Sequence, residues 1–205
     1  MSGDIRDRVV IRKKDAAFSW ERLTGLLHEA YKRNADSGLG FAAASQSAEQ
    51  TKRRVQDGTV FIAFLDEEPI GAVCCRVKNN GGHWYDKGIT GHISQFAVLP
   101  RFKGEGVGSA LLDRAYDFFA ENGADGVILD TSEEAEGLIA YYRKSGFIPV
   151  DLVCWSNTNY KSVVMKKPLS GETDEKYCLK MFKRAGRRLA IKRLIKGRHK
   201  PKAIK

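Results

Sequence analysis

A loop with glycine at positions 104, 106 and 108 separates a strand-like segment from a helix-like one. The segment Phe96–Pro100 is mostly apolar, and from Gly108 onward apolar residues recur at spacings of three and four. Because glycine lacks a Cβ atom, the backbone N–H groups of such a loop can point toward one anion. The helix N-terminus adds unpaired N–H groups and a partial positive charge. The pattern therefore predicts a loop that binds phosphate or pyrophosphate.

The spacing excludes two common phosphate-binding loops. A P-loop needs Gly-Lys followed by Ser or Thr, and the chain contains no such triplet. The dinucleotide fingerprint needs Gly or Ala at its sixth position, but that position is Ser109 when counting starts at Gly104 and Leu111 when it starts at Gly106. That fold also carries its fingerprint on the first strand, whereas about ninety residues precede this loop.

The elements around the loop are predicted in the order β-α-α-β-β-β-α-β-α-β-β. Alternating or continuous apolar runs indicate strands, and apolar residues at helical spacing indicate helices. The expected strands are Val9–Ile11, Thr59–Leu65, Ile70–Val77, His92–Leu99, Val127–Asp130, Phe147–Val153 and Ser162–Met165, and the expected helices begin near Trp20, Ser47, Gly108 and Thr131. This order predicts an α/β (α+β) protein with helices on both faces of one sheet.

Two segments resemble signatures of a known family. Lys103–Gly108 resembles the R/Q-x-x-G-x-G/A pyrophosphate loop of the GCN5-related N-acetyltransferases (the GNAT superfamily), and Tyr142–Phe147 resembles that family's Y-x-x-x-G-F signature. Phe96–Pro100 is similar to the strand and proline that precede the loop in the family. The element order matches from Val9 to about Lys167. The resemblance implies a GNAT-like, mixed and mostly antiparallel central sheet.

The resemblance also implies acetyl-CoA as cosubstrate and no metal. The strand edge at Phe96–Val98 is expected to pair with the pantetheine arm, and the strand at Val127–Asp130 to splay away from it. Lys103 stands where the family has Arg or Gln, and Ala135 where relatives often have Asn, so neither makes the family's usual contact. The implied cofactor-binding residues are Phe96, Ala97, Val98, Lys103, Gly104, Glu105, Gly106, Val107, Gly108 and Ser109.

Tyr142 matches the family's tyrosine near the thioester sulfur. Attack by an amine expels coenzyme A as a thiolate, and a phenol with a pKa of about 10 keeps a proton to donate. Packing of Tyr142 on a helix face and a donor role for Tyr141 are the alternatives. The amine needs help in losing its own proton, and the strand His92–Leu99 contains no acid.

Several residues are candidates for that second proton transfer. His92 is a candidate base, Gln95 or Ser94 is a candidate to hold a water, and Asp86 is a further base candidate. The loop after the strand that ends near Val153 is expected to line the acceptor pocket for a small-molecule or peptide amine. Its candidate substrate residues are Trp155, Asn159 and Tyr160, for which loop packing without a ligand is the alternative.

The four cysteines and four histidines predict neither disulfides nor a metal site. Cys74 and Cys75 are adjacent in an apolar run, where a strand would point them to opposite faces, and no pair has C-x-x-C spacing. Reduced thiols, the lack of an apolar run long enough for a membrane helix and a start without a signal-like apolar stretch together predict a cytoplasmic protein.

The net charge of +10 belongs to the end of the chain. Residues 171–205 contain 13 Lys or Arg and 3 Asp or Glu, so residues 1–170 hold 22 of each sign. We therefore predict a GNAT-like domain at 1–169 and a basic tail at 170–205, helical or partly disordered, with a break near Gly186–Ala190. The tail could contact an anionic membrane, nucleic acid, a partner protein, its own domain or a second copy in a homodimer. Deleting it is expected to leave the chemistry intact.

The sequence thus predicts an acetyl-CoA-dependent N-acyltransferase that acts by direct attack of a primary amine, with Tyr142 as general acid. The alternative is a non-catalytic module that binds or senses coenzyme A and acts through its basic tail. The acceptor, the general base and the acyl-chain preference do not follow from the sequence.

Overall fold

A computed structural model of the chain describes residues 5–36, 41–155, 158–171 and 174–197. Seven strands and six α-helices alternate along these residues, with two short 3₁₀ turns at Ala42–Ala44 and Pro100–Phe102. The strands are β1 Val10–Lys13, β2 Thr59–Leu65, β3 Glu68–Asn79, β4 Ile89–Val98, β5 Gly126–Ser132, β6 Ile148–Val153 and β7 Ser162–Pro168. The helices are α1 Ile5–Arg8, α2 Trp20–Asp36, α3 Ala48–Val55, α4 Val107–Glu121, α5 Glu136–Lys144 and α6 Glu175–Gly197.

All seven strands form one sheet in the order β1-β2-β3-β4-β5-β7-β6. Every pair is antiparallel except β4 with β5, which is parallel. This mixed, mostly antiparallel sheet between helices confirms the predicted fold class. The predicted element order is also confirmed, with α1 added before β1 and α6 after β7.

Alternate residues of the central strands pack into two cores on opposite faces of the sheet. Cys75 lies in the core under α4, with Leu111 and Phe119 of that helix. Cys74 lies in the core under α2, with Leu23 and Leu27. The two thiols therefore point to opposite faces, as a strand requires of neighbouring residues.

Helix α6 packs on the β6 end of the sheet. Cys178 on its inner side is buried with Val150 of β6 and Val164 of β7, and an ion pair at 3.6 Å joins Arg188 to Asp151. The predicted break near Gly186–Ala190 is wrong, because α6 continues through Gly186 as one helix. Packing against the sheet stabilises this helix, although its apolar residues do not follow a regular amphipathic repeat.

The bounds of two elements differ from those predicted. β4 begins at Ile89 and not at His92, because its first residues pair with the end of β3. Thr131 was expected to cap α5, but it belongs to β5, and the residue before the helix is Ala135, whose side chain makes no cap. The expected capping box of α3 is present, with Ser47 and Gln50 bonded reciprocally.

A β-bulge interrupts β4 where it crosses the middle of the sheet. Ala72 of β3 faces Ala97, and two residues further along β3 Cys74 faces Ser94, so Gln95 and Phe96 together stand opposite one residue. Gln95 has a φ of +50°, a left-handed backbone conformation that is unusual for a residue other than glycine. Such a bulge bends the strand and redirects the side chains beyond it.

Candidate active site

The sheet opens between β4 and β5 directly beyond their short pairing. Only Thr90–His92 pair with Gly126–Ile128, and β5 then pairs with β7 alone. The predicted splay between these strands is therefore present. It leaves the β4 edge from Ile93 onward without a strand neighbour on the β5 side.

The larger opening is a groove of about 700 Å³, here called the large groove. Its walls come from the β4 edge, the glycine loop and the start of α5. The described residues that line it are Ala30, Tyr31, Phe96, Ala97, Val98, Phe102, Lys103, Gly104, Gly106, Gly108, Ser109, Glu134, Ala135, Glu136, Gly137, Leu138 and Tyr141. Eight of the ten predicted cofactor-binding residues are among them. Glu105 and Val107 are not, and Val107 is buried in the core under α4.

Glycine is required at the three loop positions for different structural reasons. Gly104 and Gly106 have φ values of +91° and +80°, in the region that other residues rarely adopt. Gly106 is the N-cap of α4, so the unpaired N–H groups of the first turn of that helix follow it directly. A Cβ atom on Gly108 would lie 3.1 Å from the Tyr141 hydroxyl oxygen and 3.4 Å from Cζ of Phe96. Glycine at 108 therefore keeps the helix start close to the groove wall.

The second opening is a cavity of about 360 Å³, here called the small cavity. Tyr31, Phe96 and Leu138 line it as well as the large groove, so the two spaces adjoin at these residues. The rest of its described lining is Phe41, Ala42, Ala43, Arg54, Ile93, Ser94, Gln95, Leu129, Asp130, Thr131, Tyr142, Trp155, Thr158 and Tyr160. Of the seventeen described lining residues, six are aromatic, one is basic and one is acidic.

Tyr142 is a buried phenol on the wall of the small cavity, with 4% of its surface exposed. Its ring lies 6.1 Å from that of Phe96, the residue shared by both spaces. Burial, followed by the neighbouring Tyr31 and Tyr141 and the charge of Asp130, raises the pKa of Tyr142 well above its usual value. The phenol therefore keeps its proton at neutral pH. Tyr141 is placed differently, since it lines the large groove.

The bulge in β4 is held by side chains from α2, α3 and the loop between them. The Tyr31 hydroxyl donates to the Phe96 carbonyl at 2.8 Å, and burial raises the pKa of Tyr31 to about 12. The Gln95 amide lies 3.2 Å from Gln46 Nε2 and also faces Arg54. A guanidinium only donates, so the Gln95 oxygen belongs on the Arg54 side, where it accepts from Nε at 2.9 Å and from Nη1 at 3.3 Å.

This contact continues into a buried polar network. Arg54 Nη1 also donates to Gln46 Oε1 at 2.6 Å, and Gln46 Nε2 donates to Thr51 Oγ1 at 2.8 Å. Thr24 of α2 then donates to Thr51 at 2.7 Å. The network connects Gln95, which lines the small cavity, to α2 and α3, so hydrogen bonds from both helices hold the bulge in place.

Asp130 supplies the acidic group of the small cavity. It lies near the end of β5, where its side chain is exposed, and its Oδ2 accepts a hydrogen bond of 3.0 Å from Trp155 Nε1. Tyr160 packs against Phe41 with ring centroids 5.1 Å apart. Burial and the charge of Asp130 raise the pKa of Tyr160. Both aromatic residues predicted to contact substrate therefore line the cavity.

The remaining predicted residues lie elsewhere. His92 belongs to the paired part of β4 and lines neither opening. Burial, with Lys78 and Arg76 adding to it, lowers its pKa to about 4, and no described group bonds its buried Nε2. Asp86 is buried in the loop before β4, where it accepts from the His83 N–H at 2.8 Å. Asn159 is exposed and outside the described lining. Ser94 and Gln95 do line the small cavity.

Sequence reasoning missed Tyr31, Phe41, Arg54 and Leu138 as cavity residues. Asp130 was expected only as the last residue of the strand Val127–Asp130. A signal existed for Asp130, since it ends a buried run on a strand expected to splay. Arg54 follows Lys52 and Arg53 on a short helix, where a basic run resembles a solvated face.

Within the ranges that the structure describes, no group of three His, Cys, Asp or Glu side chains could hold a metal ion. None of the helices in those ranges combines the length and the apolar character that crossing a membrane requires.

Comparison with known proteins identifies sequences that are similar to part of the chain. N-alpha-acetyltransferase 30 of Schizosaccharomyces pombe is 26% identical over 87 residues, which are 42% of this chain and 55% of that protein. An uncharacterised N-acetyltransferase of Archaeoglobus fulgidus is 35% identical over 68 residues, 33% of this chain and 44% of that protein. The chain thus spans about half the length of the curated relatives it matches.

Solved structures with low sequence identity share the fold. The PaiA N-acetyltransferase of Thermoplasma acidophilum, in complex with coenzyme A, has a TM-score of 0.61 at 17% identity and covers 78% of this chain and 98% of that one. A GNAT family acetyltransferase of Elizabethkingia anophelis with acetyl-CoA bound has a TM-score of 0.57 at 16% identity and covers 79% and 99%. Residues 20–147, more than half of the chain, match the model of the Acetyltransferase (GNAT) family. With its splayed β4 and β5 and its glycine loop at the start of α4, this chain belongs to the GNAT acetyltransferase family.

Proposed function

We propose that this chain transfers an acetyl group from acetyl-CoA to a primary amine by direct attack, with Tyr142 as general acid. The observation that carries the proposal is the position of Tyr142. Its protonated phenol lies on the wall of the small cavity, beside Phe96, where that cavity adjoins the large groove. A donor in the groove and an acceptor in the cavity would meet beside this hydroxyl.

The large groove fits coenzyme A in shape and chemistry. The first turn of α4 offers N–H groups to a pyrophosphate, and glycine at 104, 106 and 108 leaves room for it. Lys103 lines the groove and can add a charge contact to a phosphate, although not a bidentate one. The unpaired edge of β4 at Phe96–Val98 offers backbone groups to the pantetheine amides, as a sheet edge does to an added strand.

The small cavity supplies groups that favour the attacking amine. The Asp130 carboxylate attracts an ammonium group into the cavity. Ser94 and Gln95 line the same wall and can hold a water that accepts the proton of the amine. His92 lies outside the cavity and takes no part in this proposal.

Tyr142 then protonates the departing thiolate. The thiol of coenzyme A is more acidic than a buried phenol, so this transfer is unfavourable by itself and takes place only as the carbon–sulfur bond breaks and negative charge develops on sulfur. The Tyr142 phenolate then takes up the proton that the amine released to the water at Ser94 and Gln95, so that the net change moves one proton from the amine to the thiol. The products are an N-acetylated amine and free coenzyme A.

An acceptor screen with thiol release as readout tests the proposal. Amino acids, peptides, polyamines and aminoglycosides would each be incubated with acetyl-CoA and the full chain. The names of the curated relatives, N-alpha-acetyltransferases, support including peptide α-amines. Thiol release that depends on an amine and on Tyr142 supports the transferase. Tight coenzyme A binding by calorimetry without turnover on any amine would favour the alternative, a coenzyme-A-binding module.

The organisation of the chain remains part of the proposal. We assign the transferase to residues 1–169 and regard residues 170–205 as a basic appendage. The described part of α6 exposes Lys176, Lys180, Lys183, Arg184, Arg187 and Arg188. Contact of this surface with an anionic membrane, nucleic acid or a partner protein, a homodimer and a cytoplasmic location all stay predictions.

A further inference from the structure

The small cavity presents one cation and one anion to whatever occupies it. Among its described lining residues only Arg54 of α3 and Asp130 of β5 carry a full charge. In the described ranges no carboxylate lies within 4.0 Å of the Arg54 guanidinium, and the charge of Asp130 offsets only part of the lowering of the Arg54 pKa by burial. The two charges are therefore separate binding groups and do not neutralise each other as an ion pair.

Arg54 is held in place by neutral partners. Its described hydrogen-bond acceptors are the amide oxygens of Gln46 and Gln95, which orient the guanidinium and leave its charge uncompensated. Burial lowers the pKa of Arg54, although a guanidinium stays charged at any physiological pH. The Arg54 side chain is nevertheless exposed and has no carboxylate partner in the described ranges, so it can attract an anion, and its planar donors suit a carboxylate.

We propose that the natural acceptor carries a carboxylate within a few bonds of its amine, and that Arg54 binds this carboxylate while Asp130 attracts the amine. This proposal rests on the proposed function, since it names the substrate class of the same site. Two sources share the chemistry: a free amino acid with its own carboxylate, and a peptide with an acidic side chain near its N-terminus.

The charges of the cavity also disfavour other amines. A polyamine would place a second ammonium against Arg54, and like charges in a confined cavity repel. A simple aliphatic amine would leave the guanidinium without a partner after water is displaced, which costs affinity. The aromatic wall adds contact area without charge, so the charged pair decides selectivity.

Matched acceptor pairs test the proposal with the full chain. Each pair differs only in the carboxylate: a free amino acid against its amide, and a peptide that begins with Asp against one that begins with Asn. We expect kcat/KM to favour the acidic member of at least one pair by about 10- to 100-fold, the range of a hydrogen-bonded charge contact. The pair that shows the preference identifies the source.

Four variants locate the preference. Arg54→Gln is expected to abolish it mainly by raising KM for the acidic acceptor, whereas Arg54→Lys keeps the charge and retains part of it. Arg53→Gln is the matched control, because Arg53 is exposed on the same helix and lies outside the described cavity lining. Asp130→Asn is expected to raise KM for both members of each pair equally. Circular dichroism and the melting temperature verify that each variant is folded.

The outcomes separate this proposal from the proposed function. Turnover on amines with equal kcat/KM for acidic and neutral members would overturn the acid preference and leave the transferase standing. A preference that survives Arg54→Gln would overturn the assignment to Arg54. Absence of turnover on every amine, with coenzyme A bound, would instead count against the transferase itself.

Discussion

Replacing Tyr142 with phenylalanine removes one hydroxyl group from a residue on the wall of the small cavity. We expect kcat to fall about 100-fold, equivalent to about 2.7 kcal/mol, with little change in the affinity for coenzyme A. The expected loss of kcat lies at the low end of the range for general acids because the leaving group, a thiolate, is only moderately basic. Burial and neighbouring phenols, and not hydrogen bonds, account for the raised pKa of Tyr142. The loss of the hydroxyl should therefore change the unfolding free energy by less than about 1 kcal/mol.

Thiol release under saturating acetyl-CoA measures kcat, and calorimetry measures binding of coenzyme A. Tyr116→Phe is the matched control, because its hydroxyl is also buried, has no described partner and lies outside the described linings of both openings. Unchanged kcat of Tyr142→Phe across several acceptors would remove Tyr142 from the mechanism. An equal loss in Tyr116→Phe would show that a general effect of hydroxyl removal is responsible.

The raised pKa of Tyr142 also constrains the pH profile. The phenol is the protonated, active form up to pH values above its usual pKa of about 10. The kcat of the wild type should therefore not decline between pH 7 and 10 through ionisation of this group. A falling limb in that range that disappears in Tyr142→Phe would contradict the burial argument.

Three further predictions concern the loop, His92 and α6. Gly108→Val should abolish coenzyme A binding, measured by calorimetry, because a Cβ atom at this position meets Tyr141 and Phe96. The control is Gly25→Ala on α2, where a Cβ atom would meet nothing within 4 Å, and this variant should bind normally. Normal binding by Gly108→Val would refute the assignment of the large groove to coenzyme A. Burial lowers the pKa of His92 to about 4 in the folded state, below its value of about 6.5 in the unfolded state. As the pH falls, the unfolded state therefore binds the proton first, and the folded state loses stability between these two pH values. His92→Gln should lose less melting temperature than the wild type over that range, and parallel curves would contradict the shift. A chain that ends at Ser170 should melt at a lower temperature because α6 covers Val150 and Val164, and an unchanged melting temperature would show that this packing contributes little.

The sequence predicts the donor side of the site better than the acceptor side. A pyrophosphate loop requires glycine at fixed positions, so the chemistry leaves a spacing that can be recognised at 104, 106 and 108. Tyr142 is likewise predicted from its sequence spacing to Gly146 in the Y-x-x-x-G-F signature. The acceptor side has no such constraint, and Arg54 is indistinguishable in sequence from Lys52 and Arg53, its neighbours on α3.

Two local features lie beyond pattern reasoning for physical reasons. The bulge places Gln95 in a left-handed conformation without glycine, and the polar network with Gln46 and Arg54 that stabilises it is formed only in the folded chain. His92 seemed to begin its strand, but three earlier residues pair with β3 and bring it inside the sheet. That deleting the tail leaves the chemistry intact stays a prediction, while the packing of Cys178 on β6 and β7, which ties the tail to the sheet, was not indicated by the sequence.

The bulge also shifts the alternation of side chains along β4 by one residue. Ile93 and Ala97 are four residues apart and would share a face in a regular strand, yet Ile93 belongs to the core under α4 and Ala97 to the core under α2. Deletion of the single residue at 95 would restore ordinary alternation, with Phe96 still on the α4 side and Ala97 on the α2 side, and would remove the Gln95 amide that accepts from Arg54. The length of this strand therefore matters as well as its residue types. Substitutions on the cavity wall can alter which acceptor the protein prefers, whereas a one-residue deletion between Ser94 and Ala97 would remove the bulge itself and the bend that it gives to this wall of the small cavity.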